Sequence, residues 1–305
     1  MKKLKKIFCC GLIFALICGA AGCVNQHPEE ASGSSENSAG KAKSGSSPKL
    51  VATSTAIADI TDRLELDLIG VCQTSGDLPE RYADVTQVGM PMSPDLEILK
   101  SLDPDYVLSP NTLESDLQPK YESIGVSSLF LNLKSVDGMY ASIEDLGEKF
   151  GREEQAGELV EEYETFMEEY DAQNARNEKP SVLILMGLPG SYIVATENSY
   201  VGNLVKMAGG VNVYQGEEDE FISANTEDMQ TKDPDIILRA VHGLEEEARE
   251  MFAEEFETND IWKHFRAVEE GKVYDLDGEL FGMSADFDYP KALDELQTLF
   301  YGEGE

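Results

Sequence analysis

Ser93-Pro-Asp-Leu-Glu97-Ile-Leu-Lys-Ser-Leu-Asp103-Pro104-Asp105-Tyr-Val-Leu108 and Ser223-Ala-Asn-Thr-Glu227-Asp-Met-Gln-Thr-Lys-Asp233-Pro234-Asp235-Ile-Ile-Leu238 are two copies of one pattern, S-x3-E-x5-D-P-D-x-[VI]-L, set 130 residues apart without a gap. Each copy reads as a short helix, a turn marked by proline and an apolar strand. A helix leading into a buried strand is the repeating unit of a parallel α/β sheet. Two such units this far apart predict two similar lobes, and a cleft between lobes is a place where small ligands bind.

The alternation around the first copy extends the α/β reading. Lys49–Thr53, Asp67–Cys72, Thr86–Gly89, Tyr106–Ser109 and Ser127–Leu131 have strand patterns, separated by helical stretches at Thr55–Leu64, Pro94–Leu102 and Leu113–Ile124. Around the second copy, strands are expected at Ser181–Met186, Tyr192–Thr196 and Lys272–Leu276, and helices at Tyr200–Ala208, Leu244–Phe256 and Pro290–Phe300. Between the lobes, Ser135–Phe150 and then Arg152–Asn177 carry apolar residues at helical spacing, punctuated by Gly151 and closed by Pro180. The second stretch is long enough to cross from lobe to lobe as a stiff helix, roughly 35–40 Å at 1.5 Å per residue. The expected fold is therefore two Rossmann-like lobes joined by one long rigid helix, with residues 49–134 as the N-terminal lobe, 135–179 as linking helices and 180–305 as the C-terminal lobe.

Residues 1–22 read as an export signal: a basic start, Met1-Lys2-Lys3-Leu4-Lys5-Lys6, then an apolar run from Ile7 to Ala21 that is short for a membrane span. Ala20-Ala21-Gly22-Cys23 resembles a bacterial lipobox, although Ala20 stands where leucine is usual, so Cys23 is expected to be lipidated. Residues 23–48 then form a Ser-, Gly- and Glu-rich tether without apolar period, and His27 within it is expected to be inert. Of five cysteines, Cys9, Cys10 and Cys18 leave with the leader and Cys23 is taken by lipid. Cys72 remains alone, with no disulfide partner, as a buried strand residue.

Charge narrows the partners. The chain carries −35, and loss of Lys2, Lys3, Lys5 and Lys6 with the leader leaves 20 basic against 59 acidic residues, or −39. That argues against nucleic acid and against broad adhesion to anionic lipid, and favours a basic partner surface. The acids between Glu153 and Glu178 and between Glu217 and Glu255 have the spacing of solvated helix faces.

No phosphate loop, nucleophile elbow or H-E-x-x-H motif is present, so an anchored extracellular enzyme finds no nucleophile–base pair. With three histidines, a multi-His zinc or manganese cage is not expected. His264, between Trp262 and Phe265, reads as structural. His242 lies four residues past Leu238 and before Gly243, at the carboxyl end of a strand, the edge that lines clefts in α/β proteins. In the other lobe, Met90-Pro91-Met92-Ser93-Pro94 sets two thioethers before the repeat helix. Imidazole and thioether are an axial pair for haem iron. Glu97 and Glu227 occupy equivalent first-turn positions, where a carboxylate also suits the helix dipole and helix capping.

From Val51 to Tyr301 the chain resembles the haem-binding lipoproteins of iron-regulated surface determinant (Isd) uptake systems, substrate-binding components of ABC importers. The resemblance is carried by Leu78-Pro-Glu-Arg-Tyr82, Met92-Ser-Pro-Asp-Leu-Glu97, Ser135-Val-Asp-Gly-Met-Tyr140, Leu183 to Tyr200, Ile237-Leu-Arg-Ala-Val-His242-Gly, Asn259 to Phe265, Val273-Tyr-Asp-Leu276 and Leu280-Phe-Gly-Met283. It implies haem as the transported ligand, with Met92 and His242 as iron ligands from opposite lobes. It also implies docking of a permease and its ATPase through Glu97 and Glu227, and surface haem-donor proteins as suppliers. The implied location is the outer face of the cytoplasmic membrane, facing the cell wall. Met90 stands close enough to compete with Met92, and the acidity is unusual for a receiver of an anionic porphyrin. Backbone N–H groups, Ser54, Thr55 or Tyr82 are the candidate propionate contacts. A siderophore or corrinoid binder of a related importer is the alternative within this class.

Overall fold

The computed structural model describes residues 47–74, 76–174 and 178–302. The leader, Cys23 and nearly all of the tether lie outside the described residues. In chain order the N-terminal lobe contains β1 (Leu50–Ala52), α1 (Thr55–Arg63), β2 (Leu68–Val71), β3 (Thr86–Gln87), β4 (Gly89–Met90), β5 (Ser93–Pro94), α2 (Leu96–Leu102), β6 (Tyr106–Pro110), α3 (Glu114–Ser123) and β7 (Ser128–Leu131). Its main sheet has the order β3-β2-β1-β6-β7 and is parallel throughout. Two helices follow, α4 (Val136–Phe150) and α5 (Glu153–Asn174). The C-terminal lobe then runs β8 (Ser181–Leu188), β9 (Ser191–Ala195), α6 (Tyr200–Met207), β10 (Val211–Asn212), β11 (Phe221–Ser223), α7 (Thr226–Thr231), β12 (Ile236–Val241), α8 (Glu245–Thr258), α9 (Arg266–Glu269), β13 (Val273–Asp275) and α10 (Tyr289–Tyr301).

The repeated D-P-D has the same role in both lobes. Asp103 and Asp233 both take left-handed backbone, at φ 48° and 46°, and so stop α2 and α7. The second aspartates clamp a neighbouring strand. Asp105 accepts the Lys49 N–H at 2.8 Å and donates its own N–H to the Lys49 carbonyl. Asp235 does the same to Ser181, accepting its N–H at 2.7 Å and its hydroxyl at 2.6 Å. Lys49 precedes β1 and Ser181 opens β8, so each clamp fixes the register of β6 on β1 and of β12 on β8.

Three local features depart from the sequence expectation. The C-terminal sheet is mixed: β8, β12, β13 and β10 are parallel, and β9 runs antiparallel to its neighbours β8 and β11, because Gly190 at φ 75° reverses the chain after β8. The strand expected over Thr86–Gly89 ends at Gln87, and Gly89 at φ 94° starts a hairpin of β4 and β5. The next helix begins at Leu96 rather than Pro94, because Asp95 caps it, accepting the N–H groups of Glu97 and Ile98.

The link is a bent helix pair. Gly151 in left-handed conformation ends α4, and α5 continues for 22 residues, about 33 Å at 1.5 Å per residue. At its start the Arg152 and Gln155 side chains donate to Glu65 of the N-terminal lobe. Near its end the Tyr170 hydroxyl meets Leu293 and Gln297 of α10. One hydrophobic cluster runs without a break from Leu50 and Ile57 through Met139, Tyr140 and Ile143 to Leu204 and Leu296. The acids of α5, from Glu153 and Glu154 to Glu168 and Glu169, are exposed, as their spacing predicts. Among the described residues no helix is long and apolar enough to cross a membrane.

Candidate functional site

The two lobes meet where the chain leaves β7. The segment leaving β7 meets segments of the C-terminal lobe: the Ala285 N–H donates to the Leu133 carbonyl at 2.8 Å, and Lys134 pairs with Glu220 at 2.6 Å. At the start of α4, the Val136 N–H donates to Asn203 of α6. Parallel strands converge their loops at their carboxyl edge, where ligands of open α/β folds bind.

From the N-terminal lobe the edge presents the β4–β5 hairpin. The Gln73 N–H donates to the Gly89 carbonyl at 2.7 Å and the Val88 N–H to the Val71 carbonyl at 2.8 Å, so the hairpin is stitched to the end of β2. Pro91 and Met92 form its tip. Met90 and Met92 are 63% and 68% exposed; with Leu244 they are the exposed large hydrophobic side chains among the described residues. Isolated exposed apolar groups are ordinary on soluble surfaces; here two thioethers share one short hairpin.

From the C-terminal lobe the edge presents His242, the residue after β12. Its N–H donates to the Gly187 carbonyl at 3.0 Å, which holds its backbone against the end of β8. The imidazole is solvent-exposed, yet the surrounding walls desolvate it enough to hold its pKa below the ordinary histidine value. At neutral pH it is then the uncharged ring that ligates metals.

Other candidates separate by their environment. Ser54 caps α1, its Oγ accepting the Ile57 N–H at 3.3 Å. Thr55 opens α1 and borders a cavity of about 360 Å³ beside Asp59, Pro79 and Asp286. Thr55 and Ala56 of the first turn border it at the positive end of the helix, while Asp59, Asp62, Asp286 and Asp288 line it with Arg63. Tyr82 leaves the set: it is 2% exposed and its hydroxyl donates to the Leu66 carbonyl at 2.6 Å, so it has no free donor at the cleft. His264 lies exposed on a 3-10 turn whose neighbours Trp262 and Phe265 are buried. Cys72 is buried and free, and desolvation pushes its thiol up to about 11, an inert state.

Glu97 and Glu227 occupy matching places, each two residues past its helix cap. Asp95 and Asn225 do the capping, so neither glutamate is needed for it. Both are exposed, and neither forms an ion pair among the described residues.

The sequence reading missed the polar seam beneath this edge, in which the Thr53 hydroxyl meets the Leu108 carbonyl and Ser109, and Ser109 meets the Tyr121 hydroxyl. Serine and threonine inside an apolar strand were the available signal.

Two α/β lobes joined by a stiff helical link, with an exposed thioether hairpin in one and an exposed histidine at a strand's carboxyl end in the other, have the architecture of a two-lobed solute-binding protein. The chain belongs to the periplasmic binding protein family, whose sequence profile matches residues 50–280. It is 44% identical over 254 residues, 83% of this chain and 87% of the relative, to the high-affinity heme uptake system protein IsdE of Staphylococcus aureus. The crystal structure of S. aureus IsdE complexed with heme superposes with a TM-score of 0.80 at 43% identity, covering 84% of this chain and all of that one. An ABC transporter substrate-binding protein from Listeria monocytogenes EGD-e superposes equally well, at a TM-score of 0.80 and 49% identity, covering 84% of this chain and 99% of its own.

Proposed function

We propose that this chain is a haem-binding lipoprotein that captures haem outside the cytoplasmic membrane and delivers it to an ABC importer for iron acquisition. The observation that supports the reading is one exposed histidine at the carboxyl end of β12 in one lobe and one exposed thioether hairpin in the other, in a chain this similar to IsdE. Met92 and His242 are the proposed axial ligands. Together they fill both axial positions of the iron, leaving none open for oxygen chemistry, which suits carriage rather than catalysis. Ser54, Thr55 and the N–H groups at the start of α1 are the proposed propionate contacts. Residues 1–22 act as leader, Cys23 carries the lipid and the tether extends to residue 48, placing lobes 49–134 and 180–305 at the outer membrane face. Glu97 and Glu227 dock the permease of the importer and its ATPase, and surface haem-binding proteins supply the ligand.

The test is the visible spectrum of haem-loaded protein. Wild type should show a sharp Soret band of six-coordinate haem. His242→Ala and Met92→Ala should each shift that band and shorten haem retention. Unchanged bands and off-rates in both variants would reject the assignment, and a shift confined to Met90→Ala would move the ligand to Met90.

A further inference from the structure

Four non-glycine residues among those described have positive φ: Glu65, Asp103, Asp233 and Leu244. The first three follow the ends of α1, α2 and α7, where left-handed backbone is ordinary. Leu244 instead opens a helix. It stands at the N-cap of α8 with φ 44° and ψ 56° and makes no side-chain cap. Ser, Thr, Asp or Asn in extended conformation is the usual choice there. An L side chain is strained in this region, which glycine or asparagine occupies more easily. The leucine is also 58% exposed. Capping, backbone and burial preferences are all broken at one residue, the signature of a position kept for function rather than folding.

The location says which function. Leu244 is two residues from His242, and Gly243 between them has φ 69°. Two consecutive left-handed residues turn the chain back sharply beside the imidazole. The Leu244 carbonyl accepts the Ala248 N–H at 3.0 Å, so α8 holds the strained backbone in place. Its exposed counterparts, Met90 and Met92, sit on the opposite lobe. The occupant that an apolar side chain beside a ligating imidazole fits is a flat, largely apolar macrocycle.

We propose that Leu244 is a porphyrin contact that covers the iron–His242 bond from the C-terminal lobe; this rests on the haem reading above. Covering the bond keeps water from it and slows haem loss. Leu244 touches the ligand and leaves the set of iron ligands unchanged.

Leu244→Gly and Leu244→Asn both suit the backbone and separate this role from a structural one. The measurements are the melting temperature of the apoprotein, the Soret position, and the rate of haem transfer to excess apomyoglobin. We expect an apo melting temperature equal to or above wild type, an unshifted Soret band, and haem loss faster by about tenfold or more, the scale of burying a leucine side chain. Haem loss within twofold of wild type overturns the proposal, as does faster loss accompanied by a lowered apo melting temperature in both variants. Unchanged haem loss with impaired transport would assign Leu244 to the permease surface instead. A wild-type protein that acquires no six-coordinate haem spectrum would reject the haem reading itself, whereas a normal wild type with unaffected variants rejects this inference alone.

Discussion

Asp286→Asn should stabilise the protein at pH 7.5 and leave it nearly unchanged near pH 4. Asp286 lies on the segment entering α10, half-buried, and faces Asp59 of α1 across the junction of the lobes, with Asp288, Arg63 and Lys291 nearby. Desolvation is the main cause that pushes its carboxyl up to about 6; the charges of Asp288 and Asp59 add to it, while the Asp288 N–H and Lys291 oppose it. Asp59 is pushed up to about 6 as well, again chiefly by desolvation, with Arg63 opposing and Asp62 and Asp288 adding. A carboxyl whose folded pKa exceeds its unfolded value holds a proton that the unfolded chain has already lost. Stability therefore falls as pH rises from about 4 to about 6, and the cost is constant above that. A rise from 3.8 to about 6 sets a ceiling of about 3 kcal/mol. Partial exposure and the shared titration with Asp59 reduce the expected gain to about 1–2 kcal/mol. Asparagine keeps an oxygen that can accept the Asp288 N–H, now at 2.9 Å. For a chain of this size the gain corresponds to a melting temperature higher by about 3–6 °C at pH 7.5. The assay is thermal melting of wild type and Asp286→Asn from pH 4 to 8. A difference that does not change with pH, or a variant less stable at pH 7.5, would refute the reasoning.

Gly202→Ala should be strongly destabilising, because a Cβ there would lie 1.9 Å from the Thr196 carbonyl oxygen, which belongs to the backbone; overpacking of this kind costs about 1–3 kcal/mol, read as a lowered urea midpoint. Reversing Glu97 and Glu227 together to Lys should leave the Soret band and haem off-rate intact while lowering uptake into reconstituted vesicles more than either single change. Reversing the exposed acids Glu158 and Glu257 provides the charge-matched control, and equal loss in that control would reduce the effect to general electrostatics. Cys23→Ser should abolish lipidation and release the protein or leave its leader uncleaved; mass spectrometry that finds an unmodified mature N-terminus elsewhere in the wild type would end the lipoprotein assignment.

What the sequence disclosed was local or repeated. The D-P-D pair was legible because each aspartate acts within its own unit: one stops a helix, the other clamps the adjacent strand. The position of His242 just past β12 was legible because the end of an apolar run marks the carboxyl edge of a strand. Other features depend on contacts remote in the chain. Tyr82 looked available because nothing in its neighbourhood announces that its hydroxyl reaches the Leu66 carbonyl. The hairpin holding Met90 and Met92 has two-residue strands, too short for any period to register. The meeting of Asp59 with Asp286 exists only once the lobes are packed, and the strained backbone of Leu244 contradicts the preference of leucine itself.

The link between the lobes bears on how loading is sensed. Tyr140 of α4 stacks on Tyr163 of α5 at 4.3 Å between ring centroids, and Tyr289 of α10 meets both edge-on at 6.2 and 5.9 Å. Phe166 and Phe287 extend the cluster, and Arg63 of α1 covers Phe287 at 4.0 Å. Swinging one lobe away would open this cluster to water, at about 1.5–3 kcal/mol for each large side chain exposed. It would also separate the Ala285–Leu133 and Val136–Asn203 hydrogen bonds. Ligand binding at the edge of the cleft must offset that sum before any wide hinge motion is populated, because a ligand shifts an equilibrium only by its differential affinity for the two states. The distance between Glu97 and Glu227 is then set mainly by the fold. A permease that recognises both positions meets nearly the same frame in the empty and loaded states. Under the haem reading proposed above, discrimination between them would fall to the cleft surface, where Met92, His242 and Leu244 are exposed and bound ligand would cover them.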